Sequence, residues 1–499
     1  MRDSRKNTKF AWAGLIVLVG LGMTGCTDEE TVFVERPFFQ DPPANAAGFL
    51  GYDEATEKLT VCGNCHVGQQ GGWEVTAHAD AWFSLEDSGH SQEFCENCHT
   101  TGPFGNAGPD GGWAITADER YYDVQCENCH SGGEAHARNP DSGAKPMAEA
   151  AVGFDTGTGC GECHEGSHHP FIEEWLDSPH SHVVGFAAAR PECERCHKGQ
   201  GTLTAWGENA DYVEKDGDAL AVVCVVCHDP HDRTYEHQLR YPVDTNVIDQ
   251  HLCAQCHDRR TEPDPSSSHG LHPHSPEAAL LVGDAGWFPP DALIDRGQII
   301  ATHGSAGNPG LCATCHVSRY EVTDAASGEF VLQATGHLFR PIPCVDAQGI
   351  PQGFEVQCGI TAAERSYDAC TGSGCHFDES VAASALTTKA GTIQFLADEL
   401  HHQLTIVDPN GEDAGGEIDA ANPTFTVAEG ALFNHSLAEF GSEDFGTLSV
   451  LGSTAHNPFL VEALLIGSIK AIQDEYGVSP NVVRDWDAEL QKVLSQVLR

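Results

Sequence analysis

Apolar residues recur with helical spacing mainly near the C-terminus. Residues 458–476 are predicted to form one helix that ends at Gly477. A second helix is predicted to begin at Ser479-Pro480, which have the residue types of an N-cap and a first-turn proline. The apolar faces of the two helices consist of Leu460, Leu464, Leu465, Ile469 and Ile472, and of Val483, Trp486, Leu490, Leu494 and Val497.

The rest of the chain shows no sustained helical or strand period. The whole chain contains 53 Gly and 26 Pro. Outside the C-terminal part, the segments between the recurring motifs described below are short and rich in turn residues. The pattern predicts mostly irregular coil with short α-helices, a C-terminal helical segment with minor β structure, and little regular sheet. Residues 424–427 and 447–451 are predicted to be short strands.

The N-terminus resembles an export signal. Four basic residues precede the uncharged apolar stretch 10–21, which is short for a membrane span. Met23-Thr24-Gly25-Cys26 resembles a bacterial lipoprotein cleavage box, so residues 1–25 are expected to be removed and Cys26 to carry lipid. The alternative is an ordinary cleaved signal followed by a chance cysteine. Residues 26–60, which are acidic at first and contain proline, are predicted to be a tether.

One short pattern dominates the remainder: Cys-x-x-Cys-His occurs eight times, and Cys-x-x-x-x-Cys-His once. Chance would give on the order of 0.05 matches to the shorter pattern. We number these motifs 1 to 9 in chain order. Their cysteine pairs are Cys62 and Cys65, Cys95 and Cys98, Cys126 and Cys129, Cys160 and Cys163, Cys193 and Cys196, Cys224 and Cys227, Cys253 and Cys256, Cys312 and Cys315, and Cys370 and Cys375. Their histidines are His66, His99, His130, His164, His197, His228, His257, His316 and His376.

This spacing is typical of covalent haem attachment. Two thiols add across the vinyl groups of one haem, and the adjacent histidine binds its iron. A zinc site usually needs two cysteine pairs and no fixed histidine, and a disulfide framework would not place histidine after every second cysteine. We therefore predict nine c-type haems, with short helices carrying the motifs and the fold organised around the haems.

Three of the 21 cysteines lie outside the motifs. Cys26 is assigned to the lipid, which leaves Cys344 and Cys358, and neither is followed by histidine. In an oxidising compartment these two are predicted to form a disulfide, with two free thiols as the alternative.

The motif spacing divides the chain. Motifs 1 to 7 recur about every 32 residues, which is a repeat signature, and a Trp-x-x-Thr/Ser-x-His pattern occurs at 73–78 and 175–180. We predict a seven-haem array over 61–260 and a two-haem region with the disulfide over 261–400. Residues 401–499 are predicted to be haem-free, with two helices and one distal histidine.

The second axial ligand is predicted to be histidine, because Met147 is the only methionine outside the leader. Sequence context favours His78, His180, His231, His303, His337 and His456, followed by His90, His136 and His274. His182, His251, His269 and His272 are alternatives to the last three. The expected structural or exposed histidines are His168, His169, His401, His402 and His435.

Charge limits the partners. The chain has 74 acidic and 26 basic residues, for a formal net charge of −48. This composition argues against nucleic-acid binding through a basic face and suits a basic redox partner, such as another cytochrome, or an iron-oxide surface.

Three segments carry a family resemblance. TAHADAW, FCENCHTTG and YYDVQCENCHSGGEAH resemble early segments of cytochromes related to nitrite reductases and hydroxylamine oxidoreductases. CVVCHDPH resembles doubled CxxCH repeats, and AHNP followed by an apolar helix resembles the C-terminal segment of surface multihaem cytochromes. The resemblance implies closely packed bis-histidine haems that pass electrons to an outer acceptor.

The leading hypothesis is an exported, lipid-anchored electron carrier at the outer membrane or cell surface. It could face the periplasm or the outside of the cell. One alternative is an oxidoreductase of the nitrite, hydroxylamine or tetrathionate type with one open haem; no motif ends in lysine, as it would in the related nitrite reductases. Another alternative is a subunit of a polymeric cytochrome filament. An electron carrier that is not an enzyme is the expectation.

Overall fold

Short helical turns, and not sheets, build most of the structure, as predicted from the sequence. The computed structural model describes residues 39–46, 48–102, 112–141, 145–146, 159–208, 219–267, 269–290, 292, 294–324, 326–372, 374–411, 416–419, 421–422, 424–440 and 449–497. Residues from Asp41 onward belong to one unit.

The α-helices in chain order are α1 (Val67–Trp73), α2 (Ala81–Asp87), α3 (Glu96–His99), α4 (Trp113–Thr116), α5 (Cys126–His130), α6 (Glu134–Arg138), α7 (Phe171–Leu176), α8 (Gly185–Ala188), α9 (Glu194–His197), α10 (Gly199–Ala205), α11 (Cys224–Cys227), α12 (Glu277–Leu281), α13 (Leu311–His316), α14 (Asp368–Thr371), α15 (Glu379–Val407), α16 (Val427–Glu439), α17 (Leu451–His456), α18 (Pro458–Tyr476) and α19 (Trp486–Val497). The strands β1 (Tyr52–Glu54) and β2 (Leu59–Thr60) pair antiparallel, as do β3 (Tyr320–Thr323) and β4 (Phe330–Ala334).

Single turns of 3-10 helix lie between these elements. They span Ala44–Ala46, Ala55–Glu57, Cys62–Asn64, His78–Asp80, Glu93–Cys95, Glu119–Tyr121, Cys160–Glu162, Pro179–Ser181, Glu236–Gln238, Ile248–Gln250, Cys253–Gln255 and Thr302–Gly304.

The two copies of the Trp-x-x-Thr/Ser-x-His pattern form the same contacts. In each copy the indole N–H donates to the carbonyl of a valine two residues before a later motif: Trp73 to Val124 and Trp175 to Val222, both at 2.9 Å. The same valines donate their N–H groups to the carbonyls of His78 and His180, at 3.0 and 3.1 Å. The hydroxyl of the pattern bonds back to the tryptophan carbonyl at 2.8 Å in both copies. Motifs 1 to 3 and motifs 4 to 6 are therefore two copies of one unit.

Residues 41–46 and 48–60 belong to the folded body, although the tether was predicted to extend from 26 to 60. Leu50 is buried, and the N–H groups of Leu50 and Gly51 donate to the carboxylate of Glu127 in motif 3, at 2.8 to 3.0 Å. Gly133 donates to the same carboxylate at 2.7 Å. Apolar residues in this segment favour packing over a solvated spacer. The predicted leader and Cys26 lie outside the described residues.

The main apolar core lies in the C-terminal helices and contains buried residues of α15, α16, α18 and α19. Helix α18 has the predicted bounds, and Gly477 ends it with a positive φ of 68°. Buried Asn457 caps α18 by accepting from the Leu460 N–H at 3.2 Å. Its amide also donates to the carbonyls of Leu280 and Ile299, at 3.1 and 2.7 Å, so it joins the core to the preceding region. None of the helices in the described ranges has the length and hydrophobicity that a membrane span requires.

Three C-terminal predictions need correction. Residues 424–426 and 449–450 form neither strand nor helix, and Val427 and Leu451 begin α16 and α17; residues 447 and 448 lie outside the described ranges. At α16 the physical reason is a capping box, in which Thr426 and Glu429 accept from each other's N–H groups.

The helix predicted from Ser479 begins at Trp486 instead, and Val483 is 91% exposed and lies outside it. Helix α15 crosses the boundary predicted at 400/401, so residues 401–499 contain the end of α15 and four further helices among the described residues.

Cys344 and Cys358 form the predicted disulfide, with Cα atoms 5.9 Å apart. Buried Arg365 holds the same loop by donating to the carbonyls of Ile342 and Gly359 at 2.8 Å and of Cys358 at 3.3 Å. The guanidinium thus satisfies backbone groups that the irregular loop leaves without a strand partner.

Buried Glu127 should make the free energy of unfolding depend on pH. Burial raises the pKa of Glu127 to about 7, although the N–H groups of Gly133, Gly51 and Leu50 act to lower it. Between about pH 4.5 and 7 the folded state keeps a proton that the unfolded chain has lost, so the free energy of unfolding decreases as pH rises. Chemical unfolding at several pH values should show this slope, at most about 1.4 kcal/mol per pH unit.

Glu127→Gln should remove that slope. Glu96→Gln is the matched control, because motif 2 has the same Cys-Glu-Asn-Cys-His sequence but its glutamate is only half-buried. An unchanged slope in the Glu127→Gln variant would contradict the assignment.

Candidate haem sites

Every motif lies on or beside a helical turn that brings its second cysteine and histidine next to its first cysteine. In motifs 1, 4, 5, 6 and 7 the histidine N–H donates to the carbonyl of the first cysteine, at 2.9 to 3.2 Å. This is the bond of one α-helical turn, so it follows from the Cys-x-x-Cys-His spacing.

Motif 9 closes the same bond with two additional residues. The His376 N–H donates to the Cys370 carbonyl at 3.2 Å, although the two residues are six positions apart. The bond between the histidine and the first cysteine of the shorter motifs is therefore also present in motif 9, which fits attachment of the same group.

Eight motif histidines face a second histidine from another part of the chain. The pairs, with the distance between ring centres, are His66 and His136 (6.3 Å), His164 and His78 (6.2 Å), His130 and His231 (6.2 Å), His257 and His180 (6.2 Å), His197 and His274 (5.9 Å), His228 and His337 (6.4 Å), His376 and His303 (6.3 Å), and His316 and His456 (6.1 Å).

The spacing fits a haem iron between the rings. A coordinating nitrogen lies about 2 Å from a metal and about 1 Å from its own ring centre, so the ring centres of two opposite ligands stand roughly 6 Å apart. Directly packed aromatic rings can come closer, as His180 and Phe339 do at 4.5 Å. Each pair therefore leaves the separation that one axially ligated iron needs.

Backbone carbonyls orient several of these rings. Nδ1 of His316 bonds the Phe339 carbonyl at 2.8 Å, and Nδ1 of His303 bonds the Ala455 carbonyl at 2.7 Å. Nδ1 of His456 bonds the Gly452 carbonyl at 2.7 Å, within α17. An Nδ1–H donor leaves Nε2 with the lone pair that a metal requires.

Burial also favours the neutral, metal-binding form of the imidazoles. It lowers the pKa of His180 to about 3 and the pKa values of His164, His316 and His337 to about 4, and charges of neighbouring histidines lower them further.

His99 of motif 2 has no facing ring at this spacing among the described residues. His90, which was predicted for this role, is exposed, and the structure brings no motif histidine to it. His169, which was expected to be structural, interacts electrostatically with His99: burial lowers the pKa of His169, and the charges of His168 and then His99 lower it further. No local sequence signal singles out His169, which follows His164 of motif 4 by five residues.

Other histidines have structural contacts instead. His251 is fully buried; its Nδ1 accepts from the Cys253 N–H at 3.2 Å, and its Nε2 lies 3.3 Å from the Gly310 carbonyl. His182 bonds Ser181 at 2.8 Å, and His272 lies 3.3 Å from the Ser436 hydroxyl. The Sγ atoms of Cys253 and Cys312 and a nitrogen of His251 lie within 4.8 Å of one another, which shows how closely motifs 7 and 8 approach.

Thiol contacts show which motifs are neighbours. The cysteines that lie close enough to shift each other's pKa are Cys62 and Cys126, Cys98 and Cys163, Cys160 and Cys224, Cys196 and Cys256, and Cys253 and Cys312. Burial and then the charge of Cys160 raise the pKa of Cys129 to about 12, and burial and then the charge of Cys370 do the same for Cys315. The contacts therefore join motifs 1 with 3, 2 with 4, 3 with 4, 4 with 6, 5 with 7, 7 with 8, and 8 with 9.

Two phenylalanines connect consecutive sites. The Phe171 ring lies 5.4 Å from His164 and 4.8 Å from His337, so it touches ligand candidates of motifs 4 and 6. The Phe339 ring lies 5.6 Å from His337 and 4.5 Å from His180, which faces motif 7. Motifs 4, 6 and 7 are thereby packed in sequence.

Two segments match known families. Residues 61–131 match the model of cytochrome c554 and c-prime, and residues 215–262 match that of the doubled CXXCH motif. The comparison with curated proteins found no match, and neither did the comparison with solved structures.

Glu174 is predicted to position His337. The buried carboxylate accepts from the N–H and hydroxyl of Thr335, both at 2.7 Å, and from the His337 N–H at 2.6 Å. Glu174→Gln turns an amide N–H toward these donors, which should cost about 1–3 kcal/mol in the free energy of unfolding. It should also disturb the ring that faces His228.

The control is Glu173→Gln, since Glu173 is exposed and bonds only the Gly166 N–H in the described structure. Chemical unfolding and low-temperature electron paramagnetic resonance measure the two effects. Equal behaviour of the two variants would contradict a positioning role for Glu174.

Proposed function

We propose that this chain, which its two matched segments indicate to be a multihaem c-type cytochrome, conducts electrons through nine bis-histidine haems to an acceptor outside the cytoplasm. The observation that carries the proposal is the set of eight histidine pairs spaced for an iron between them. Haem held by two imidazoles supplies a one-electron couple of low potential.

The chain's own residues would hold each haem in the same way. The two cysteines of a motif attach it, the adjacent histidine binds one side, and a histidine from a distant segment binds the other. Filled axial positions favour electron transfer over catalysis, since catalysis at haem needs an open position.

The motif contacts support a path with two side positions. The order is 1, 3, 4, 6, 7, 8 and 9, with motif 2 beside motif 4 and motif 5 beside motif 7. The link between motifs 6 and 7 rests on Phe339 and on the charge of Cys227 near Cys253.

Both ends of this path reach the surface. Among the eighteen motif cysteines only Cys65 and Cys375 are exposed, and they belong to motifs 1 and 9. Phe377, directly after His376, is 99% exposed. These ends suit electron entry and exit.

Export and anchoring complete the proposal. The leader-like segment and Cys26 favour lipid attachment, and the net charge of −48 suits a basic redox protein or a metal-oxide surface as acceptor. A rate of electron transfer to the acceptor that falls as ionic strength rises would support a basic protein as the partner.

Position in the path is tested by removing one haem at a time. Cys370→Ala with Cys375→Ala should lower the haem count from nine to eight and slow electron transfer to an iron-oxide acceptor by at least tenfold, because motif 9 is an end of the path. Cys95→Ala with Cys98→Ala is the matched control: it also removes one haem, but from a side position, and should leave the rate within about twofold. Equal slowing by both variants would contradict the order.

The enzyme alternative depends on motif 2, where no facing ring is present at haem spacing among the described residues. We expect His169 to ligate this haem. His169→Ala should then convert one haem from low spin to high spin, whereas His90→Ala should leave all nine low-spin in electron paramagnetic resonance.

A high-spin haem in the unaltered protein that responds to nitrite or hydroxylamine would favour the enzyme instead. Loss of a low-spin signal in the His90→Ala variant would instead support His90 as the ligand, as predicted from the sequence.

A further inference from the structure

Two histidines outside the haem sites meet between α15 and α16. The ring centres of His401 and His435 lie 5.2 Å apart, with planes inclined at 36°. Glu439, one turn after His435, places its Oε2 3.7 Å from Nδ1 of His435. Asp398 lies one turn before His401. None of these residues lies near a cysteine pair in the sequence, so the cluster is separate from the motifs.

The ring centres of His401 and His435 lie closer together than those of the eight histidine pairs at the motifs. With about 3 Å from metal to ring centre, opposite ligands stand roughly 6 Å apart and ligands at a tetrahedral angle roughly 5 Å apart. The eight haem pairs lie at 5.9 to 6.4 Å, whereas His401 and His435 are at 5.2 Å. The shorter distance fits two imidazoles on adjacent corners of a tetrahedral site.

The surroundings leave ligand atoms available. The hydroxyl of Ser449 donates to Oε1 of Glu439 at 3.0 Å, which fixes the carboxylate and leaves Oε2 toward His435. His435 is 9% exposed, so its position is set by packing. His401 is exposed, and its ring can turn to bring a nitrogen toward the other two ligands.

We propose that His401, His435 and Glu439 bind one divalent transition-metal ion of the zinc class, with Asp398 or water as the fourth ligand. Imidazole with carboxylate suits zinc and its neighbours and not magnesium or calcium, which prefer oxygen ligands alone. Bound there, the ion would join α15, which directly follows motif 9, to α16.

The test uses the full-length holoprotein. After chelator treatment, which leaves covalently attached haem in place, equilibrium dialysis against micromolar Zn²⁺ is followed by elemental analysis of zinc and iron. One zinc per nine irons is expected, with a rise in the thermal unfolding temperature; Mg²⁺ in place of Zn²⁺ should produce neither.

His401→Ala and Glu439→Gln should each weaken zinc binding at least tenfold. The matched control is His402→Ala, because His402 is the next residue on the same helix but is not part of the cluster. Far-UV circular dichroism checks that each variant is folded, and exposed His401 is the safest position to change. Absence of stoichiometric zinc, or equal binding by the His401 and His402 variants, would overturn the proposal.

Discussion

The pairing of eight of the nine motif histidines with a histidine from another segment is the constraint on which the rest of the structure depends. Two imidazoles that hold one iron between them must stand at a fixed separation, and the rings found at this separation come from segments far apart in the chain: His316 faces His456 of α17, and His228 faces His337. The histidine pairs therefore bring distant segments of the array together, where the described residues form only short helices and two-stranded sheets.

The division between the array and the C-terminal core follows from this constraint. Where haems would fill the interior, short turns suffice, and buried apolar side chains form small clusters. Where no motif occurs, the chain builds an ordinary helical core. Helix α17 connects the motif-bearing region with the C-terminal helical core. It supplies His456, and its Ala455 carbonyl orients His303.

Structural features that depend on residues close together in the chain could be predicted from the sequence. The bounds of α18 followed from apolar spacing and Gly477, and the pairing of Cys344 with Cys358 followed from elimination. Residues 424–427 were interpreted as a strand because the aromatic and β-branched residues around the capping threonine have the composition of a strand. His90 and His169 could not be ranked from sequence, because the choice depends on which segment folds back to His99. No local pattern carries that information.

The duplicated contacts have a consequence for how such a protein can change in size. Cys62 with Cys126 and Cys98 with Cys163 are repeated by Cys160 with Cys224 and Cys196 with Cys256. Motif 4 thus opens the second copy and also contacts motif 2 of the first, just as motif 7 contacts motif 5 of the second copy. Inserting or deleting a whole copy, about 98 residues with three haem motifs, would preserve these contacts between cysteines. The reach of the molecule can therefore grow in steps of one unit, while the surfaces at its two ends stay unchanged.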